Sequence, residues 1–143
     1  MASMLAGMAF ANSGVGAAHA VAHPLGSTYG VPHGEACSLM LPYVAEHALA
    51  DAEVLARLGA KLAAVARALE PARANPTPQD GIAAVRRLLA EIGIPATLKA
   101  LGIERARLAE LVPGVMVSGS LRNNPRPVDE AEALALLERA WAG

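Results

Sequence analysis

The stretch that decides the fold class is LARLGAKLAAVARAL, residues 55–69. Its large apolar residues recur at intervals of three and four positions: Leu55, Leu58, Leu62, Val65 and Leu69. The charged residues in and beside the stretch lie mostly between them: Glu53, Arg57, Lys61 and Arg67. This spacing places the apolar side chains on one face of an α-helix. The stretch is therefore predicted to be an amphipathic helix.

Composition extends this prediction to the rest of the chain. Alanine accounts for 33 of the 143 residues, whereas aromatic residues make up only 3%. Alanine favours helix, while sheets favour β-branched and aromatic residues, and no run alternates apolar and polar positions. The hydrophobic fraction of 54% also argues against disorder. The sequence predicts an all-α fold and one helical domain over residues 1–143.

Charge and cysteine content exclude several classes of protein. The formal net charge is −1, and no basic stripe attracts phosphate, so nucleic-acid binding is not expected. The single cysteine rules out an internal disulfide framework and fits a reducing compartment. No lysine or arginine precedes Arg57, which argues against a secretory signal, and polar residues interrupt the one apolar N-terminal stretch. We therefore expect a soluble, cytoplasmic protein without a membrane segment.

Caps and turn residues divide the chain into helices and connectors. Thr77 is predicted to cap a helix that begins at Pro78, with Asp80 completing the capping box. Pro42 is expected to kink the third helix. The connectors include residues 26–30 and 71–78 and an irregular stretch over 112–126. The predicted helices, besides the amphipathic one, span residues 2–11, 17–25, 35–49, 78–92, 97–101, 105–111 and 129–141.

Histidines cluster near the N-terminus. Three of the four lie within the 15 residues from His19 to His33. His19 and His23 are four residues apart, which places both imidazoles on one helix face, and a glycine-bearing turn can fold His33 back toward them. Neutral imidazole suits Zn²⁺ or Fe²⁺. A metal site is one interpretation, and three unliganded histidines are the other.

Other polar residues have plain structural interpretations. Cys37 follows a helix start, where its pKa can fall, although a small packed side chain is the preferred interpretation. His47 is expected to interact with a helix C-terminus. The Arg86-Arg87 pair is predicted to be a solvated face. Residues 12–16 contain two glycines but follow no strand, so they are not a dinucleotide-binding fingerprint.

Several segments together resemble a known family. They are AGMAFAN (residues 6–12), GVGAAHAVAHPLG (14–26), PHGEA (32–36), LP (41–42) and NPRPV (124–128). Their order and spacing resemble the C-terminal domain of the iron-containing (group III) alcohol dehydrogenases. The resemblance covers essentially the whole chain. It implies the helical, bundle-like C-terminal domain of the dehydroquinate synthase-like fold, with the metal-ligand region over residues 1–50 and a helical remainder over 51–143.

The resemblance also implies roles for individual residues. His19 and His33 correspond to two ligands of a divalent metal, usually Fe²⁺, with Zn²⁺ as the other candidate. His23 corresponds to a motif histidine with a role in proton transfer, and Phe10 to a residue that borders the substrate pocket. The other two ligands, an Asp and a His, belong to a position before residue 1. Residues that bind the cofactor are not identified in this chain.

The implied activity is oxidation of an alcohol to an aldehyde or ketone with NAD or NADP. The resemblance implies that an N-terminal nucleotide-binding domain, absent from these residues, holds most of the cofactor. We therefore expect the chain to be inactive alone and to need that domain as a partner. A homo-oligomer is expected too, because residues 2–11 have no polar face. The alternatives are a non-catalytic helical interaction module and a relative of the maleylacetate reductases.

Overall fold

A computed structural model describes the backbone of residues 1–143 and every side chain except that of Ala2. The chain forms seven α-helices in this order: α1 Ala2–Ser13, α2 Ala17–Tyr29, α3 His33–Leu49, α4 Ala52–Leu69, α5 Pro78–Glu91, α6 Leu108–Met116 and α7 Glu130–Ala142. Short 3-10 helices span Lys99–Leu101, Arg105–Arg107 and Gly119–Asn123. No β-strand occurs in the backbone described, so the predicted all-α fold is confirmed.

The helix starts follow the capping signals of the sequence. The predicted capping box of α5 is present, with Thr77 and Asp80 bonded to each other's backbone N–H groups. Asp129 and Glu132 form a second box at the start of α7. The side chain of Asp51 accepts a hydrogen bond from the backbone of Val54 and begins α4. Such caps satisfy N–H groups that the first turn leaves free, each contributing about 1 kcal/mol.

The core lies where α2 packs between α3 and α6, with α7 closing it from the side of α6. Buried alanines on α2 let the neighbouring helices approach closely, and the largest enclosed side chains are leucines and Met40. The pair α4 and α5 packs against α3. These two helices touch at Gly81, where a Cβ atom would overlap the carbonyl oxygen of Leu62. None of the helices described is both long and apolar enough to cross a membrane.

Two connectors that the sequence predicts are helical instead. Residues 26–29 continue α2 to Tyr29, because the helix ends at Gly30 in the left-handed conformation (φ 69°) rather than at Gly26. Residues 112–116 continue α6, although Pro113 lacks an N–H group. Val112 and Val115 are buried on the core-facing side of α6, and this burial outweighs the poor helix propensity of proline and glycine.

The Arg86-Arg87 pair is partly exposed, as the sequence predicts, but both arginines also form ion pairs. Arg86 forms an ion pair of 2.8 Å with Glu46 of α3, and its guanidinium lies 4.4 Å from the ring centroid of Tyr43. Arg87 pairs with Glu70, the residue that follows α4. The two arginines therefore connect α5 to both α3 and α4. Each pair is partly exposed and contributes at most about 1 kcal/mol.

His47 lies in a buried environment that sequence reasoning missed. Only 6% of the residue is exposed, and its Nε2 finds no hydrogen-bond partner among the residues described. Arg126 donates a hydrogen bond of 3.0 Å to the backbone carbonyl of His47. Burial first, and then the positive charge of Arg126, lower the pKa of His47. The imidazole is therefore held in its neutral form.

The free energy of unfolding is expected to decrease as the pH falls below about 6.5, the ordinary pKa of histidine. In that range the unfolded chain binds a proton at His47 more readily than the folded chain does, because the pKa of the folded imidazole is lowered. Thermal denaturation of wild type and His47→Gln, followed between about pH 8 and 5, measures the effect. The variant should lose less stability on acidification. Parallel curves for the two proteins would contradict this explanation.

Helix α1 presents large apolar side chains to solvent. The exposed fractions are 62% for Met4, 55% for Leu5, 59% for Met8 and 53% for Phe10. An exposed apolar patch of this kind marks a contact surface or an aggregation hazard.

We expect the 143-residue chain to self-associate through α1, because association removes these apolar side chains from water. Light scattering at micromolar concentration should give a mass above the 14.6 kDa of one chain. Met8→Glu, which places a charge in the patch, should return the chain to a monomer. A monodisperse wild-type monomer would show that the patch does not drive association.

Candidate metal centre

Three histidines of the sequence cluster converge where α3 turns back against α2. The chain reverses between Gly30, left-handed at the end of α2, and Pro32, whose ψ of 133° leads into α3. His33 is thus the first residue of α3 and faces the helix that carries His19 and His23. The ring centroids of His19 and His33 are 5.3 Å apart, and those of His23 and His33 are 5.8 Å apart.

The three imidazoles differ in their surroundings. His19 is half-buried, whereas His23 and His33 are exposed. Burial lowers the pKa of His19, and the nearby His33 and His23 lower it further. A lowered pKa favours the neutral imidazole, which is the form that binds metals. His23 stacks on His33, with an angle of 25° between the ring planes, while the rings of His19 and His33 meet at 60°.

Cys37 is the residue of this site that sequence reasoning missed. Its Sγ atom lies 3.5 Å from Nε2 of His33, one helical turn earlier on α3. One ligand atom from each of His19, His33 and Cys37 lies within 4.8 Å of the other two. Burial raises the pKa of the Cys37 thiol, which is half-buried rather than fully packed. The spacing of four residues between His33 and Cys37 is the sequence signal from which this contact could have been predicted.

Phe10 approaches the histidines from α1. Its ring centroid lies 6.4 Å from that of His19, and the two planes are tilted by 38°. More than half of the residue is exposed. The apolar ring therefore borders the open side of the histidine cluster, beside His19.

A cavity of about 300 Å³ has His19 in its wall. Its walls come from the start of α2, from α3 and from the segment before α7: Val15, Gly16, Ala17, Ala18, His19, Cys37, Ser38, Leu41, Val44 and Asn124. The Asn124 side chain accepts a hydrogen bond of 2.9 Å from the backbone N–H of Ala17 and donates one to the carbonyl of Arg126. This residue therefore ties the NPRPV segment to the helix that carries His19.

Glycines allow that close approach. A Cβ atom on Gly16 would lie 2.7 Å from Oδ1 of Asn124, which is too close for any side chain. Gly14 adopts a φ of 75° and lies against the Asn123 side chain. The G-x-G pattern of residues 14–16 thus serves packing at the base of α2.

The donor set suits a borderline divalent metal. Imidazole nitrogen binds Zn²⁺ and Fe²⁺, and a thiolate is compatible with zinc. Two of the three donors, His19 and His33, come from different helices, so a bound ion would link α2 to α3. Carboxylates, the usual ligands of Mg²⁺ and Ca²⁺, do not belong to the three-residue group found among the residues described.

Comparisons with known proteins identify relatives along almost the whole chain. The chain is 37% identical over 141 residues to 1,3-propanediol dehydrogenase of Klebsiella pneumoniae, which covers 98% of this chain and 36% of that protein. It is 33% identical to long-chain-alcohol dehydrogenase 1 of Geobacillus thermodenitrificans, and the match covers 99% of this chain and 35% of that protein. The chain thus spans about a third of the length of these curated relatives.

A solved structure agrees with the sequence relatives. The crystal structure of a 1,3-propanediol oxidoreductase superimposes with a TM-score of 0.80 at 35% identity, covering 98% of this chain and 36% of that one. The family model described as the C-terminal part of the Fe-containing alcohol dehydrogenase family matches residues 1–141. The chain therefore belongs to the Fe-containing alcohol dehydrogenase family and corresponds to its C-terminal part.

Proposed function

We propose that the chain is the C-terminal, metal-binding part of an NAD(P)-dependent dehydrogenase that interconverts an alcohol and its aldehyde or ketone. The observation that carries the proposal is the distance of 5.3 Å between the ring centroids of His19 and His33. The chain belongs to an iron-containing family, in which such a pair suits a metal. His19 and His33 would hold the metal, with Fe²⁺ the first candidate and Zn²⁺ the second. The remaining ligands and the cofactor site are assigned to a nucleotide-binding domain outside these 143 residues.

When bound, the metal supplies a Lewis acid that polarises the alcohol or carbonyl oxygen of the substrate. The chain's own residues orient the substrate and move its proton. Phe10 offers an apolar ring beside His19, against which the carbon chain of a substrate can rest. The relatives include a 1,3-propanediol dehydrogenase and a long-chain-alcohol dehydrogenase, so we propose the substrate class only as an alcohol. A small alcohol is the first choice, because the cavity measures about 300 Å³.

His23 is proposed to carry the hydroxyl proton between substrate and solvent. It is exposed, and its ring lies 5.8 Å from that of His33, so it connects the site to water. Histidine is the side chain best suited to proton transfer near neutral pH. His19, which is less exposed and has a lowered pKa, is better placed to bind the metal.

His23→Gln tests this assignment in the enzyme assembled from this chain and a nucleotide-binding domain of the family. The turnover number should fall by about 10²-fold or more, because general acid–base catalysis contributes about 10²- to 10⁴-fold. The metal content should stay the same, and the pH dependence of turnover should change shape. A variant that keeps wild-type turnover and pH profile would remove the proton-transfer role from His23, and one that loses its metal would assign His23 to metal binding instead.

A further inference from the structure

We infer that Cys37 is a third metal ligand, which with His19 and His33 forms a set of two nitrogens and one sulfur for Zn²⁺. This inference deepens the proposed function, since it concerns the same site. It rests on three residues from two helices and not on the thiol alone. His19 lies on α2, while His33 and Cys37 lie one turn apart on α3. The ligand atoms of all three lie within 4.8 Å of one another.

The distance between the two donors on α3 already fits a shared ion. A tetrahedral zinc ion with Zn–N of about 2.0–2.1 Å and Zn–S of about 2.3 Å separates nitrogen from sulfur by about 3.6 Å. The observed separation of Cys37 Sγ from His33 Nε2 is 3.5 Å. These two atoms, which form a hydrogen bond in the structure, therefore already lie at the separation that a shared ion requires, whereas the three ligand atoms together lie within 4.8 Å of one another.

His23 does not complete this set, although it is the nearest alternative. Its ring stacks on that of His33 at 25°, and it is not part of the three-residue group whose ligand atoms lie within 4.8 Å. The ring of His19 meets that of His33 at 60°, and Cys37 lies beside both histidines where the cavity begins. His23 therefore lies outside the three-residue group, and we do not count it among the ligands.

The donor set has two chemical consequences. Coordination forms a metal–sulfur bond and releases the thiol proton to solvent, with no change in oxidation state. A thiolate also favours Zn²⁺ over Fe²⁺, which binds less tightly in the general order of divalent ions. The 143-residue chain alone is therefore expected to bind zinc, while the nucleotide-binding domain supplies the remaining ligands in the assembled enzyme.

Cobalt(II) tests the inference, because it takes tetrahedral zinc sites and reports its ligands by colour. Titration of the reduced 143-residue chain with Co²⁺ should give visible ligand-field bands and, in the near ultraviolet, a thiolate-to-cobalt charge-transfer band. Cys37→Ser should lose the charge-transfer band and bind Co²⁺ at least about tenfold more weakly, since outer-shell partners alone change metal affinity by about 10- to 100-fold. His33→Ala should weaken binding as well.

A control keeps one thiol but moves it. The double variant Cys37→Ser, Ala50→Cys places the thiol at the exposed end of α3, about 20 Å along the helix, and should show no charge-transfer band. X-ray absorption of the zinc-loaded wild type should show one sulfur at about 2.3 Å. The inference is wrong if wild type takes up Co²⁺ without the charge-transfer band, or takes up none. The proposed function is judged separately, by the histidine variants in the assembled enzyme.

Discussion

His33→Ala is expected to abolish alcohol-dependent reduction of NAD(P) by the assembled enzyme, with a loss of about 10³-fold or more. Lewis-acid catalysis supplies several kcal/mol of transition-state stabilisation, and each 1.4 kcal/mol corresponds to about tenfold in rate. His33 lies at the start of α3, and its ring centroid is 5.3 Å from that of His19. Removal of the His33 imidazole therefore leaves the candidate metal with too few ligands on this chain. Steady-state turnover with an alcohol substrate measures the effect.

His47→Ala is the matched control for this variant. It removes the same side chain from the same helix, near the opposite end of α3. Because His47 is buried, its replacement should lower stability while leaving the turnover of folded molecules near the wild-type value. Full activity of His33→Ala, or an equal loss of turnover in both variants, would remove the metal role assigned to His33.

The 143-residue chain alone is expected to show no measurable alcohol-dependent reduction of NAD or NADP. Hydride transfer requires the nicotinamide to be held against the carbon that reacts. The described backbone contains no strand. It therefore lacks the strand–glycine turn–helix unit that binds a pyrophosphate. Addition of a nucleotide-binding domain of the family should restore turnover by at least about 10³-fold, given the advantage of correctly held reactants.

The rate of NAD(P) reduction, followed by cofactor absorbance at saturating alcohol, is measured for the chain alone and for the chain with the added domain. A mixture in which the added domain carries no metal-binding side chains serves as the control, and it should remain inactive. Robust turnover by the isolated chain would show that it binds the cofactor by a route that the sequence and fold do not indicate.

Local sequence signals predicted the fold well where one rule dominated. The apolar repeat of residues 55–69 and the Thr77-Asp80 capping box placed α4 and α5 correctly, because both depend on residues three and four positions apart. The prediction was wrong for residues 26–29 and 112–116. Residues 26–29 remain helical because α2 ends at the left-handed Gly30 rather than at Gly26. Residues 112–116 remain helical because Val112 and Val115 are buried against the core, which is a tertiary effect.

The candidate site was predictable in its histidines but not in its remaining contacts. His19 and His23 share a helix face, and a short turn brings His33 back, so their convergence follows from local geometry. The contact of Cys37 with His33 was within reach of the same rule, but a lone cysteine suggested packing instead. The contact of Asn124 with Ala17 joins residues 107 positions apart, which no local pattern specifies.

Metal content is the most direct measure of the central claim that His19 and His33 hold the metal. The assembled enzyme should be loaded with Fe²⁺ or Zn²⁺, passed through gel filtration and analysed by elemental mass spectrometry. Wild type and His47→Ala should each retain about one ion per chain, as a single metal site requires. The double variant His19→Ala, His33→Ala should retain almost none. Retention of a full equivalent by the folded double variant would place the metal elsewhere and contradict the claim.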